Sequence, residues 1–91
     1  MIIAKVVGNL WATRKEESLI GSKLMIVQPS RLNGEVTGER FVAVDAIDAG
    51  IGEIVLVTQG SSARKATGQN DAPVDAAIVA IIDIHEVKTD A

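Results

Sequence analysis

Cysteine and tyrosine are absent from these 91 residues, and tryptophan, phenylalanine and histidine occur once each. Without cysteine there is no disulfide staple and no thiolate metal site, a pattern that fits a reducing cytoplasm. With aromatic residues at 2%, the stacking platforms that single-stranded nucleic acids require are missing. An excess of basic charge is missing too. Nine Lys and Arg stand against twelve Asp and Glu, for a net charge of −3, and no basic run offers a phosphate backbone a continuous surface. Long hydrophobic runs are also lacking. The longest extends from Ala76 to Ile82 and is closed by Asp83, well short of the roughly 18 residues of a membrane helix. The opening Met1 to Gly8 is interrupted by Lys5 and is too short for a signal peptide or a span.

What is present is aliphatic. Hydrophobic residues make up 47% of the chain, and the mean hydropathy of +0.27 is high for so small a soluble domain. A chain of this size forms one domain, residues 1–91, and buries only about 60–65% of the surface its unfolded form exposes. So thin an interior cannot hide so many Val, Ile, Leu and Ala side chains. The inference is an oligomer that covers part of its surface with copies of itself.

The pattern along the chain is that of a mostly β protein. Ile2 to Ala12 reads as a long first strand bent at Gly8, and Thr13 to Ser18 as a charged loop. Leu24 to Val27 reads as a second strand, which Pro29 should take off the sheet because proline cannot donate to a central ladder. Asn33-Gly34 is a turn signal. Arg40 to Asp45 and Glu53 to Thr58 read as strands three and four. Ser61 to Ala66 suits one helical turn with Ser61 as its N-cap, and Thr67 to Pro73 a polar loop. Val74 to Val87 admits two readings, but its β-branched content favours strand from Ala77 onward. Lys88 to Ala91 is expected to fray. Five strands, one short helix between the fourth and fifth, and many glycine-marked turns predict a small closed or nearly closed barrel.

No constellation of residues stands out as catalytic. His85 shares one strand face with Asp83 on this reading, yet one His and one Asp are too few for a zinc site. The plainer reading is a surface or edge histidine. Ser61 and Ser62 follow a strand, but Gly60-Ser61-Ser62-Ala63 lacks the second glycine of a nucleophile elbow, and the sole imidazole is twenty-odd residues away. Gly50-Ile51-Gly52 precedes a strand, the reverse of a dinucleotide fingerprint, and its glycines suit turn geometry with positive φ. Asp45, Asp48, Glu53 and Asp71 read as solvated loop carboxylates. Trp11 reads as a core or subunit-interface residue. Catalytic, cofactor-binding and metal residues are therefore all expected to be absent. A hydrolase centred on Ser61 or His85 and a barrel binding single-stranded nucleic acid or a small ligand are the alternatives to a structural role.

One segment runs from Ala49-Gly50-Ile51-Gly52-Glu53 through Ile54-Val55-Leu56-Val57-Thr58-Gln59 to Gly60-Ser61-Ser62-Ala63-Arg64, and Pro73-Val74-Asp75-Ala76-Ala77-Ile78-Val79-Ala80-Ile81-Ile82-Asp83 follows it closely. With Ala4 to Gly8, Arg14-Lys15 and Gly21 to Gln28, it resembles the pentameric vertex proteins of bacterial microcompartment shells, the EutN/CcmL family. The likeness is collinear over nearly the whole chain. It implies an OB-like five-stranded barrel with one short helix, assembling as a cyclic homopentamer. It also implies that the protein caps the vertices of an icosahedral shell in the bacterial cytoplasm, beside hexameric shell proteins, without performing a reaction. The compartment is either a carboxysome or a catabolic type. By the same resemblance Ser61, Ser62 and Ala63 are expected to line a central pore, and Gly60, Arg64 and Asp75 to lie at its rim or at the subunit interface. Arg64 is expected rather at the interface, since five arginines converging on one narrow hole repel one another. The Val74 to Ile84 segment is expected in the subunit contact or the barrel wall. Arg14 and Lys15 are expected to be solvated, with hexamer contact as the family alternative.

Overall fold

The structure is a computed structural model and describes residues 1–11, 23–67 and 75–89. Its five strands are β1 (Ile2–Leu10), β2 (Lys23–Pro29), β3 (Phe41–Asp45), β4 (Ile54–Gln59) and β5 (Ala76–Ile81), with helix α1 (Ser61–Thr67) between β4 and β5. They close into a barrel in the order β1-β2-β3-β5-β4. All neighbours are antiparallel except β3 and β5, which meet in parallel over Val44↔Ala77 and Asp45↔Ile78.

Alternation along the strands decides what faces inward. Ala4 and Val6 from β1, Met25 and Val27 from β2, Ala43 from β3, Val55 and Val57 from β4, and Ala76 and Ile78 from β5 fill the interior, joined by Ala49 from the β3–β4 loop. Side chains of its own thus fill the interior of this small barrel. The pairing of β1 with β2 slips between Val6 and Gly8. The slip falls at the glycine where a bend was predicted, and β1 pairs with β4 over Ile2 to Lys5 and with β2 from Ala4 to Leu10.

Three expectations are corrected. Pro29 does not take β2 off the sheet: it pairs with Ala4, and the next amide, Ser30 N–H, still donates to Ile3 O at 3.1 Å. The missing N–H lies on the side where β3, which begins opposite Val27, no longer runs. There the carbonyl of Pro29 accepts from Thr37 N–H instead. Second, β5 stops at Ile81, and Ile84–Glu86 forms a 3₁₀ turn rather than more strand. The Asp83 side chain sets this turn by accepting from His85 N–H at 3.0 Å, a local bond that competes with the ladder. Third, Gly50 is not in the left-handed region. Gly52 is, with φ +93°. A Cβ at Gly50 would come to 3.0 Å from a Glu53 carboxylate oxygen, the same oxygen that accepts the Gly50 N–H, so a side chain there would press on that bond. The Asn33-Gly34 turn forms as predicted, with Gly34 N–H donating to Arg31 O and Arg31 N–H to Glu35 O. The loop expected over Thr13 to Ser18, the polar loop from Gly68 to Pro73, and Asp90 and Ala91 of the tail lie outside the described residues.

Candidate functional site

The segment singled out in the sequence begins where β4 ends. Gly60 takes φ +67°, a conformation that costs glycine nothing. Its N–H donates to the carbonyl of Asp75 at 2.8 Å, tying the end of β4 to the residue before β5. The Gly60 carbonyl then accepts Ala63 N–H at 3.1 Å and opens the helix. Ser61 is therefore the first helical residue rather than the N-cap, and the glycine holds the position in front of it. The helix is also longer than the single turn predicted.

Of the helical side chains, Ala63 is buried. Its methyl packs with Val44 of β3, Ala77 of β5 and the half-buried Leu24 of β2, a cluster on the outer wall of the barrel and separate from the main interior. Ser61 and Ser62 are exposed, Arg64 is half-buried and Asp75 is exposed. The structure thus brings Gly60 and Asp75 into direct contact and presents Ser61 and Ser62 to solvent, while Ala63 faces the wall of its own subunit. β5 supplies barrel wall from Ala76 to Ile81.

The hydrolase alternative has no geometry behind it. Gln59 pairs with Ala76 at one end of the β4–β5 ladder, and Val55 pairs with Ile81 at the other. Ser61 lies beyond the first end and His85 beyond the second, so the two never meet. His85 sits in the 3₁₀ turn rather than on a strand face with Asp83. Among the described residues no three His, Asp or Glu side chains gather as metal ligands, and no helix is long and apolar enough to cross a membrane.

A different polar cluster escaped the sequence reading. Asp45 is buried, not solvated, and its carboxylate accepts Ile47 N–H at 3.0 Å and Ala49 N–H at 2.7 Å. Lys23 Nζ lies 3.5 Å from the same carboxylate and donates to Asp48 Oδ1 at 2.9 Å and to the Ala49 carbonyl at 3.0 Å. The hydrogen bond to Asp48, aided by the charges of Asp48 and Asp45, raises the Lys23 pKa against a smaller opposing desolvation. Glu53 is half-buried and braces the same loop from its other end. The available signal was Asp45-Ala46-Ile47-Asp48-Ala49-Gly50 directly after a β-branched strand, since an Asp in that place readily accepts from amides two to four residues on.

Outside these clusters, several large apolar side chains face water. Trp11 is 89% exposed, so it is not a core residue of the subunit, and Ile51 is 61% exposed. Val42 of β3 is exposed beside the half-buried Ile26 of β2, its register partner. On another wall, Ile3, Leu56 and Ala80 lie level across β1, β4 and β5, all half-buried.

Fold and site together define a small closed β-barrel with a helix clamped to its outer wall and aliphatic side chains left on two of its faces. The family model described as ethanolamine utilisation protein EutN/carboxysome matches residues 1–83. The chain is 46% identical over 88 residues to the bacterial microcompartment shell vertex protein GrpN of Rhodospirillum rubrum, covering 94% of this chain and 97% of that protein. It is 45% identical over 83 residues to the carboxysome shell vertex protein CcmL of Thermosynechococcus vestitus, covering 91% and 84%. The solved structure of GrpN, described as a pentameric microcompartment shell protein, superposes with a TM-score of 0.83 at 43% identity, over 98% of this chain and 99% of that one. The chain belongs to the EutN/CcmL family of microcompartment shell proteins.

Proposed function

We propose that this chain is a structural shell subunit, that five copies close into a ring, and that the ring caps a vertex of a bacterial microcompartment. The observation that carries this reading is the end-to-end similarity to GrpN, a pentameric shell protein of nearly the same length. The surface agrees with it. A closed ring needs a heterologous contact, one face of a subunit meeting a different face of the next. The Ile26–Val42 wall and the Ile3–Leu56–Ala80 wall are two such faces, each with aliphatic side chains that water covers in the lone subunit.

In this reading the protein performs no reaction and acts by filling a gap in the shell. Its neighbours there are hexameric shell proteins, and the shell lies in the bacterial cytoplasm. Ser61 and Ser62, exposed and small, line the central pore, with Gly60 and Asp75 at its rim or at the subunit interface, whereas Ala63, expected beside the serines, packs on the barrel wall of its own subunit. Arg64 reaches the subunit boundary. Small side chains suit a point where five chains converge.

Native mass spectrometry tests the assembly. The expected species is five times the 9.6 kDa protomer, and Val42→Asp should shift it to monomer by placing a carboxylate in a desolvated contact. A wild-type protein that stays monomeric at micromolar concentration removes the proposal.

A further inference from the structure

We propose that Ala63 is a positioning residue: its methyl clamps the β3–β5 seam from outside the barrel and thereby fixes where Ser61 and Ser62 stand. The part concerning the serines rests on the pore reading above, whereas the seam itself does not.

The seam is the weak closure of this barrel. Among the described residues β3 and β5 meet over Val44↔Ala77 and Asp45↔Ile78 alone, whereas every other pair of neighbouring strands shares a longer ladder. It is also the one parallel contact, and parallel pairing is slightly less stable per residue. So short a contact does not hold itself together. It is braced on both faces. On the inner face Ile78 belongs to the main core, and the Asp45 carboxylate holds Ile47 and Ala49 by their amides. On the outer face the two partners Val44 and Ala77 are covered by Ala63, which is 0% exposed.

The helix depends on the seam in return. Seven residues are too few for a helix that stands alone, since about 12–15 are marginal in water. Tertiary packing must hold it, and Ala63 supplies the buried contact. The Gly60 N–H to Asp75 carbonyl bond pins the start of the helix to the entry of β5. Seam and helix therefore form one unit, with Ala63 at its centre and Ser61 and Ser62 on the solvent side of the same turn. A bulkier residue at 63 has no room between Val44 and Ala77. It must lift the helix or part the strands.

Hydrogen exchange on the intact protein reads the seam. In Ala63→Leu the amides of Val44 and Ile78, which point across the seam, should exchange roughly tenfold faster or more through local opening, while those of Lys5 and Gln28 in the β1–β2 ladder keep their rates. If that variant does not fold, Ala63→Gly should show the same pattern with smaller amplitude. An equal acceleration at all four amides, or none at the seam, overturns the clamp. The serines are read separately. The chain has no cysteine, so Ser62→Cys places a single thiol on the helix. A nitroxide attached to it reads the motion of the helix, and adding Ala63→Leu should shorten its rotational correlation time by roughly threefold or more as the helix leaves its seat. An unchanged correlation time with an opened seam overturns the positioning role. A native mass spectrum of each sample keeps these outcomes apart from a failure of the pentamer, because the seam responds in a monomer as well.

Discussion

Asp45 does more for this fold than its place at the end of β3, before an exposed-looking loop, suggests. Its buried carboxylate holds two amides and lies beside the Lys23 ammonium. Asp45→Ala leaves those amides without acceptors and should cost about 2–4 kcal/mol, measured from urea unfolding midpoints. A cost below about 0.5 kcal/mol, typical of a surface substitution, contradicts the buried role. Lys23 adds a pH signature. Its pKa is raised in the folded state by the hydrogen bond to Asp48, so folding favours the protonated form. The contribution is fully present below the ordinary lysine value of about 10.4 and is lost as pH rises through the folded value above it. The unfolding midpoint of the wild type should therefore fall more steeply as pH rises above the ordinary lysine value than that of Lys23→Met. Parallel curves would show that the ion pair does not matter. Gly52, at φ +93° with open space around the missing Cβ, gives a purely conformational test. Gly52→Ala should cost about 1–2 kcal/mol without altering assembly in native mass spectra.

At the scale of elements, the strands were legible because β-branched residues and glycine punctuation mark them directly. Ile54 to Gln59, bounded by Gly52 and Gly60, is the clearest case. The helix was legible too, since Ser61 to Ala66 sits between a glycine and a polar stretch. Its cap was not, because the choice between Gly60 and Ser61 depends on a bond from Gly60 to Asp75, fifteen residues away. Pro29 misled for a similar reason. Proline's missing N–H matters only where a neighbouring strand needs it, and the end of β3 is a tertiary fact. The end of β5 was hidden by composition: Ile82 and Ile84 have strand character, but Asp83 offers the backbone a nearer acceptor. Of the candidate site, the small residues and the family likeness drew attention to the Gly60 to Arg64 segment. The burial of Ala63 could not be read from them, since it depends on Val44 and Ala77 meeting across the seam. Within the barrel, Ile78→Ala should cost about 2–5 kcal/mol, as expected for a filled interior, again read from urea midpoints.

For the whole molecule, an undersized barrel with uncovered aliphatic walls should draw part of its stability from its neighbours. Unfolding of a ring then releases five chains, and mass action makes the midpoint depend on concentration. For a pentamer dissociating as it unfolds, each tenfold rise in protomer concentration stabilises the folded state by four-fifths of RT ln 10, about 1.1 kcal/mol per protomer. In a domain of this size that corresponds to a rise of about 4–8 °C in Tm. Calorimetry of the wild type over two decades of concentration should show such a slope in each decade. Val42→Asp, if it yields monomers, should show none and should melt at one temperature throughout. A wild-type Tm that ignores concentration would mean that the subunit stands alone or that the ring survives unfolding. Native mass spectra taken through the transition separate those two cases. Only a flat Tm with monomers on both sides of the transition leaves the aliphatic walls without a partner copy to cover them.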